Sequence, residues 1–528
     1  MSRVRGVGAA SLLAAGALLL VGITGCGDNG GGEGGTIIRG TIDQPITYDP
    51  AGAYDLPSYD VLVNVYQNLL QVPPGGNKAE PEAAESCDFT DDTNTTFECT
   101  LKDGLEFSDG SSLTAKDVKF SFDRNIEIAD PNGASSLLTN VKSTEAPDDK
   151  TVIFHLKEPD VTFPSLLSAM SFAIVPADGP NAFPADKLQA SDKVVGSGRY
   201  TVAAYEPGQQ TVLEKNDNYK GEDPAKNDRA IVQYFDKASA LKLAVEQGDV
   251  DIAYRNLSPT DYEDLKKGGE VNVIGGKGVE IRYLVFNEDL QPGDNDAQKL
   301  AIRRAVAYTI DRDAIANHVY DGTVQPLYSM IPSSLDYATE PYKDEYGAKP
   351  DLDAAKAELQ KAGVKTPVDL EIWYTPTHYG PVSADEYAEI KHELEDSGLF
   401  TVTLKSTEWT QYSEAYATDK YPQFQLGFFP DYPDSDDYLY NLWGSQGFIN
   451  DHYSNPKVDK LLAQERATTD TGEREKAFTE IQKLAAADAP TVPYWQGGQT
   501  AAVRDNIHGV EETFDPAFLF RFWVISKD

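Results

Sequence analysis

Chemistry-bearing residues are scarce in this chain. There are three cysteines and six histidines in 528 residues. The histidines (His155, His318, His378, His392, His452 and His508) are scattered, with no two at metal-ligand spacing on a helix. Each reads as structural or surface, so no metal and no cofactor are implied. Basic residues are also few, 46 against 85 acidic ones, for a net charge of -39. That balance excludes nucleic acid as a partner and argues against docking on anionic lipid through the protein surface. Catalytic signatures are missing too. Gly196-Ser197-Gly198 is not a nucleophile elbow, and Gly275-Gly276-Lys277-Gly278 lacks the length and trailing Lys-Ser/Thr of a phosphate loop, so it reads as a turn. Carboxylates are so abundant that no pair of them is evidence of acid/base work, and an enzyme reading has no positive support. With 40% hydrophobic and 10% aromatic residues the chain is globular, and its length calls for two or three lobes.

Only the start of the chain carries a long apolar run. Arg3 and Arg5 precede the stretch from Ala9 to Ile23, and Ile23-Thr24-Gly25-Cys26 ends it. A charged start, an apolar core and a small-residue cut site make residues 1–25 a secretion leader. The apolar-small-Gly-Cys ending resembles a bacterial lipobox, which makes Cys26 the lipid-modified first residue of the mature chain; the plainer alternative is a secreted protein with an incidental cysteine. Residues 26–35 are mostly glycine and read as a flexible tether. The expected location is extracytoplasmic, on the outer face of the cell membrane, with the lipid as sole anchor. Cys87 and Cys99 flank DFTDDTNTTFE, which reads as a hairpin; outside the cell the pair is expected to oxidise, stabilising by roughly 3 kcal/mol at most. A metal pair is the rival, weakened by the lack of nearby histidines.

Strand and helix signals alternate from Thr36 onward, giving an α/β reading. TIIRGTI, Leu101–Phe107, TVIFHLK, VDIAY and the C-terminal FLFRFWVIS read as strands. Tyr59–Leu70 reads as a helix, and Thr114 with Asp117 caps another. Leu241, Ala244 and Val245 mark a helix that Gly248 ends in a left-handed conformation. Further helices are marked by Ile302/Val306, Ala355/Leu359, Pro456 with Val458, and Phe478/Ile481. Between 409 and 443 aromatics crowd: Trp409, Tyr412, Tyr416, Phe428, Phe429, Tyr432, Tyr438, Tyr440 and Trp443, interleaved with Asp431, Asp434, Asp436 and Asp437. Such a stripe is usually core. Broken by Pro430 and Pro433, it reads here as a ligand wall, with a calcium loop as rival.

Several long motifs, in order, resemble one family. LKDGLEFSDGSSLTAKDVKFSFDRN, VVGSGRYTVAAYEPGQQTVLEKNDNYKG, ALKLAVEQGDVDIAY, YLVFNEDL, AIRRAVAYTIDRDAIANHVYDG, DYPDSDDYL, HYSNPKVDKLL and APTVPYW are similar to segments of the extracellular solute-binding proteins of ABC importers, family 5, the peptide/oligopeptide class. The resemblance runs from about Thr36 to the C-terminus. It implies a type II (cluster C) periplasmic-binding-protein-like fold, with two main lobes closing on a hinge and an extra inserted lobe. Lobe I would comprise 36–57, 190–277 and 500–528, lobe II 58–189, and lobe III 278–499. The partners implied are a permease and its ATPase subunits, the chain itself acting as a monomer.

The resemblance also places site residues. Asp431, in Pro430-Asp431-Tyr432, matches the aspartate that takes a peptide's terminal ammonium, with Phe429 and Tyr432 beside it. Trp409, after Glu408, matches a pocket tryptophan, and Tyr54-Asp55-Leu56-Pro57 matches a segment whose backbone pairs with peptide. Gln425 stands where some members carry an arginine for a short peptide's carboxylate, and a neutral amide cannot replace that guanidinium. Longer peptides or an uncharged solute remain open on this reading. An oligosaccharide would stack on Trp409 and Trp443. A nickel chelate has no histidine cluster to support it, and an extracellular enzyme or adhesion module is the reading from another class.

Overall fold

The structure is a computed structural model and describes residues 35–528 other than Asn256, Lys277, Thr377 and Phe448. The leader, Cys26 and all but the last residue of the tether lie outside the described residues, as does Lys277 of the glycine-rich turn.

Three larger sheets carry the chain. Seven strands run in the order Val271–Gly275, Thr500–Arg504, Ile252–Tyr254, Thr36–Thr41, Arg229–Tyr234, Gln210–Lys215 and Tyr200–Glu206. Thr36–Thr41 pairs in parallel with both its neighbours, Arg229–Tyr234 and Ile252–Tyr254, so that strands far apart in sequence share one sheet. Six strands form the second sheet, in the order Val324–Pro326, Thr491–Gly497, Glu280–Phe286, Gln423–Phe428, Val368–Tyr374 and Phe400–Ser406. Four antiparallel strands form the third: Ala84–Phe89, Thr96–Leu101, Thr151–Leu156 and Val141–Glu145.

Local chemistry explains much of this. The hairpin holds, with Cys87 opposite Cys99 and the two joined as a disulfide. Thr114 and Asp117 form the capping box of the helix Ala115–Ile128. Gly248 takes φ 79° at the end of Ala238–Gln247. Asn455 caps Pro456–Arg466, with proline in the first turn, where its missing N–H costs nothing.

Three expectations need correction. The first helix spans Leu56–Val65 rather than starting at Tyr59 and running to Leu70, because Asp55 caps it and Pro57 fits its first turn. The strand expected at Leu101–Phe107 is Thr96–Leu101, where it pairs across the disulfide. The C-terminal aromatic run is mostly not a strand. Phe518 to Ile525 are all buried, so no face alternates with solvent, and the chain there makes a short turn at Phe522–Val524.

Buried ion pairs tie the four-stranded part to the seven-stranded one. Arg124 donates to both oxygens of Asp49 at 2.8 and 2.6 Å, with both side chains essentially inaccessible. The strands Val271–Gly275 and Glu280–Phe286, and likewise Thr491–Gly497 and Thr500–Arg504, are consecutive in sequence but belong to different large sheets. At these crossings Gly276 donates its N–H to the Gln499 carbonyl at 2.9 Å. A Cβ on Gly278 would lie 1.1 Å from the Gly497 oxygen, and one on Gly498 2.2 Å from the Gly276 oxygen. Only glycine lets these backbones touch. Among the described residues no helix is long and apolar enough to cross a membrane.

Candidate functional site

The stretch after Phe428 is a proline-bracketed turn leading into the helix Ser435–Trp443. Asp434 caps that helix, accepting from the Asp436 N–H at 2.9 Å, and Asp436 and Asp437 occupy its first turn, where the helix dipole favours negative charge. Arg466 grips Asp436, and Arg474 bridges Asp434 and Glu465 at 2.9 Å each. The Asp431 N–H donates to Asp437 Oδ2 at 2.7 Å, which fixes the turn and places two carboxyl groups together.

Asp431 faces the segment before the first helix. The Tyr54 hydroxyl donates to Asp431 Oδ1 at 2.6 Å, across 377 positions of sequence. Tyr54 keeps 39% of its surface exposed. Burial pushes the Asp431 carboxyl up to about 6 despite the Tyr54 hydrogen bond. Asp437 is pushed well up by burial and then by Asp431. Asp431, Tyr432 and Leu56 line a small void of about 20 Å³. Tyr432 packs on the core of the four-stranded part. The Asp55 side chain is spent as a cap, accepting from the Ser58 N–H at 2.9 Å.

A larger cavity of about 350 Å³ lies between the two large sheets, floored by the glycine crossing at 497–498. Asp43 and Arg255 line it from the seven-stranded side, and Glu280, Arg282, His378 and Tyr379 from the six-stranded side. Phe518, which lines it, meets the Phe429 ring edge-on at 5.3 Å; the neighbours Ala517 and Leu519 line the smaller void by Asp431. Trp409 stacks on His378, with centroids 3.6 Å apart, and so backs this wall.

Gln425 takes no part in either cavity. It is fully buried, donating to Glu386 Oε1 at 2.9 Å and accepting from the Thr375 N–H at 3.2 Å. Glu386 also receives the Tyr320, Tyr494 and Trp495 donors at 2.6, 2.7 and 2.7 Å. The ligand-wall reading of the aromatic stripe is corrected for Tyr412, Tyr438 and Trp443. All three are fully buried, and Trp443 Nε1 donates to Thr491 Oγ1 at 3.1 Å. The strand Gln423–Phe428 before the prolines is a member of the six-stranded sheet, and the helix Ser435–Trp443 after them is buried on nearly every side, so the prolines interrupt the stripe without turning it toward solvent.

Comparison with known proteins identifies the family. The sequence profile of the bacterial extracellular solute-binding proteins, family 5 Middle, matches residues 78–450. The chain belongs to this family. Among family 5 relatives it is similar to the probable D,D-dipeptide-binding periplasmic protein of Escherichia coli, 27% identical over 513 residues, covering 93% of this chain and 94% of the relative. It is also similar to the di/tripeptide-binding protein 1 of Pseudomonas aeruginosa, 26% identical over 510 residues and 92% of each chain. The ABC transporter substrate binding protein CtaP of Listeria monocytogenes matches in structure with a TM-score of 0.80 at 24% identity, over 94% of this chain and 99% of that one. The fold is that of the type II periplasmic binding proteins.

Reading the sequence for family 5 features alone passes over Arg255, Arg282, His378 and Glu386. Arg282 left a signal, a lone cation in the apolar strand EIRYLVF. Arg255 left none, since its place depends on where the preceding strand ends.

Proposed function

We propose that this protein is the solute-capturing component of an ABC importer, tethered to the membrane through lipid on Cys26, and that its solute is a peptide. Lobes with the boundaries given above close on the solute and present it to the permease, whose ATPase subunits supply the energy. The protein binds and does not catalyse. One observation carries the reading: a carboxylate, Asp431, buried at the meeting of two chain segments and contacted there by a single tyrosine hydroxyl, Tyr54. Such a group suits a terminal ammonium, and relatives named for dipeptides and tripeptides support that choice of solute.

Mass spectrometry of solute released from the purified mature protein tests this directly, alongside thermal-shift screening with di- to pentapeptides and with cello- and xylo-oligosaccharides. Stabilisation by sugars and not by peptides would overturn the reading.

A pH dependence follows from Asp431. An ammonium pairs with the ionised carboxyl, whereas burial holds the free protein's carboxyl protonated up to about pH 6. Binding therefore expels a proton at low pH. Peptide affinity is expected to be full near pH 7 and to fall as the pH drops below 6, by calorimetry at pH 5 and pH 7. Equal affinity at both would remove the ammonium from Asp431.

A further inference from the structure

We infer that the four-stranded part of the molecule is a latch: it caps the end of the helix Pro456–Arg466 and so holds the closed form about its solute. This rests on the closure proposed above and assigns a contact that sets its balance.

A helix leaves its last carbonyls without partners inside the helix. At the end of Pro456–Arg466 two of them are answered from outside. The Arg466 carbonyl accepts from the Val161 N–H at 2.9 Å, and the Ala467 carbonyl from the Asn94 side-chain amide at 3.1 Å. Both donors belong to the four-stranded part. Asn94 sits in the turn of the disulfide-linked hairpin, between Ala84–Phe89 and Thr96–Leu101, with φ 53°. Val161 is the second residue of the turn Asp160–Phe163, closed by the Phe163 N–H on the Asp160 carbonyl at 3.3 Å. The helix itself belongs to the six-stranded part, whose core includes its Val458 and Leu462.

The four-stranded part is held unequally on its two sides. Toward the seven-stranded sheet it is clamped by buried ion pairs, Arg124 with Asp49 and Arg199 with Glu82, and by Arg521 Nη2 on the Val72 carbonyl at 2.9 Å. Toward the helix it offers neutral hydrogen bonds and an ion pair, Lys78 to Asp336, whose side chains are 72% and 53% exposed. A space of about 240 Å³ remains between Lys78, Val161, Asp336 and Arg474. Settled interiors leave few gaps larger than a water, so this face parts more readily than the other.

The latch reaches the solute anchor. The Arg466 side chain, at the capped end, grips Asp436 and lies over the Tyr440 ring, 3.7 Å from its centroid. Asp436 also accepts from the Tyr432 hydroxyl at 3.3 Å. Tyr432, the residue after Asp431, is buried in the apolar core of the four-stranded part. An ammonium at Asp431 and the cap from Val161 and Asn94 therefore favour one and the same arrangement.

Two substitutions remove the donors and spare the turns that carry them. Glycine accepts the φ of Asn94. Thr162, at φ -86° and ψ -11°, makes the other turn type I, whose second position favours proline. Small-angle X-ray scattering on the whole mature protein, with and without trialanine, compares the unaltered protein, Asn94→Gly/Val161→Pro, and Lys78→Cys/Asp336→Cys joined by a short bis-maleimide. Whatever the resting balance, the unlatched form is expected to have a larger radius of gyration than the unaltered protein, or the joined form a smaller one. Trialanine affinity, by calorimetry, should fall about tenfold in the unlatched form, each lost bond being worth roughly fivefold. Circular dichroism should be unchanged, and Asn94→Gly alone should show part of the loss if proline disturbs its turn. Equal radii and affinities in all forms overturn the latch; compaction of each by trialanine would then leave the closure reading standing. Equal radii in every form with no response to trialanine overturn closure as well. Radii that differ between forms without any response to trialanine support the latch and remove trialanine as the solute.

Discussion

Replacing Asp431 by alanine is expected to weaken peptide binding tenfold or more while the fold survives. A carboxylate and an ammonium about 3 Å apart attract by about 5 kcal/mol at an effective dielectric near 20. Desolvating both ions takes back much of that. A tenfold loss needs only about 1.4 kcal/mol to remain. The fold should tolerate the change, since Asp431 accepts one side-chain bond, from Tyr54, whereas the turn around it is held by Asp434, Asp436 and Asp437 through bonds that do not use its carboxylate. Asp431→Asn separates charge from shape, keeping an acceptor for Tyr54 and losing the ion, and is expected to lose as much affinity as alanine. Unchanged binding by either variant in calorimetry would remove the amine anchor.

Glu386→Ala is expected to cost stability rather than affinity alone, about 3–5 kcal/mol, the range for stripping one partner from a buried charge pair. Four donors converge on this wholly inaccessible carboxylate, from Tyr320, Gln425, Tyr494 and Trp495, and Arg282 lies close enough to feel its charge. Alanine would leave those donors buried without an acceptor and the guanidinium without part of its counter-charge. Glu386→Gln should fall between, since an amide offers one acceptor oxygen to a site built for two. Urea unfolding followed by tryptophan fluorescence reads the difference, and a shift below about 1 kcal/mol for alanine would show that the network contributes little.

Elements that close on themselves were legible from sequence. The Thr114–Asp117 cap, the hairpin between Cys87 and Cys99, and the Gly248 stop all depend on residues a few positions apart. Asp431 was singled out through resemblance alone, and its hydrogen bond with Tyr54 joins two segments 377 positions apart. What could not be read depends on distant partners. Trp443 looked available for ligand because the strand that buries it, carrying Thr491, lies 48 residues on. Gln425 looked like a site position because Glu386, its partner across 39 residues, shows no sign in the sequence that its carboxylate points inward. The run from Phe518 to Ile525 is buried on every side, which erases the alternation that identifies a strand or a helix.

The glycine crossing also governs how this protein can be re-engineered, for instance as a reagentless peptide biosensor. Exchanging glycine for alanine often raises thermal tolerance, because it narrows the freedom of the unfolded chain. Gly268, at the end of the helix Pro259–Gly268, has open space around its would-be methyl and no left-handed backbone, so it accepts that exchange. Gly278 and Gly498 refuse it: a methyl at either would drive apart the two backbone segments that join the large sheets, and a sensor that reads lobe closure, as proposed above, would lose its hinge with them.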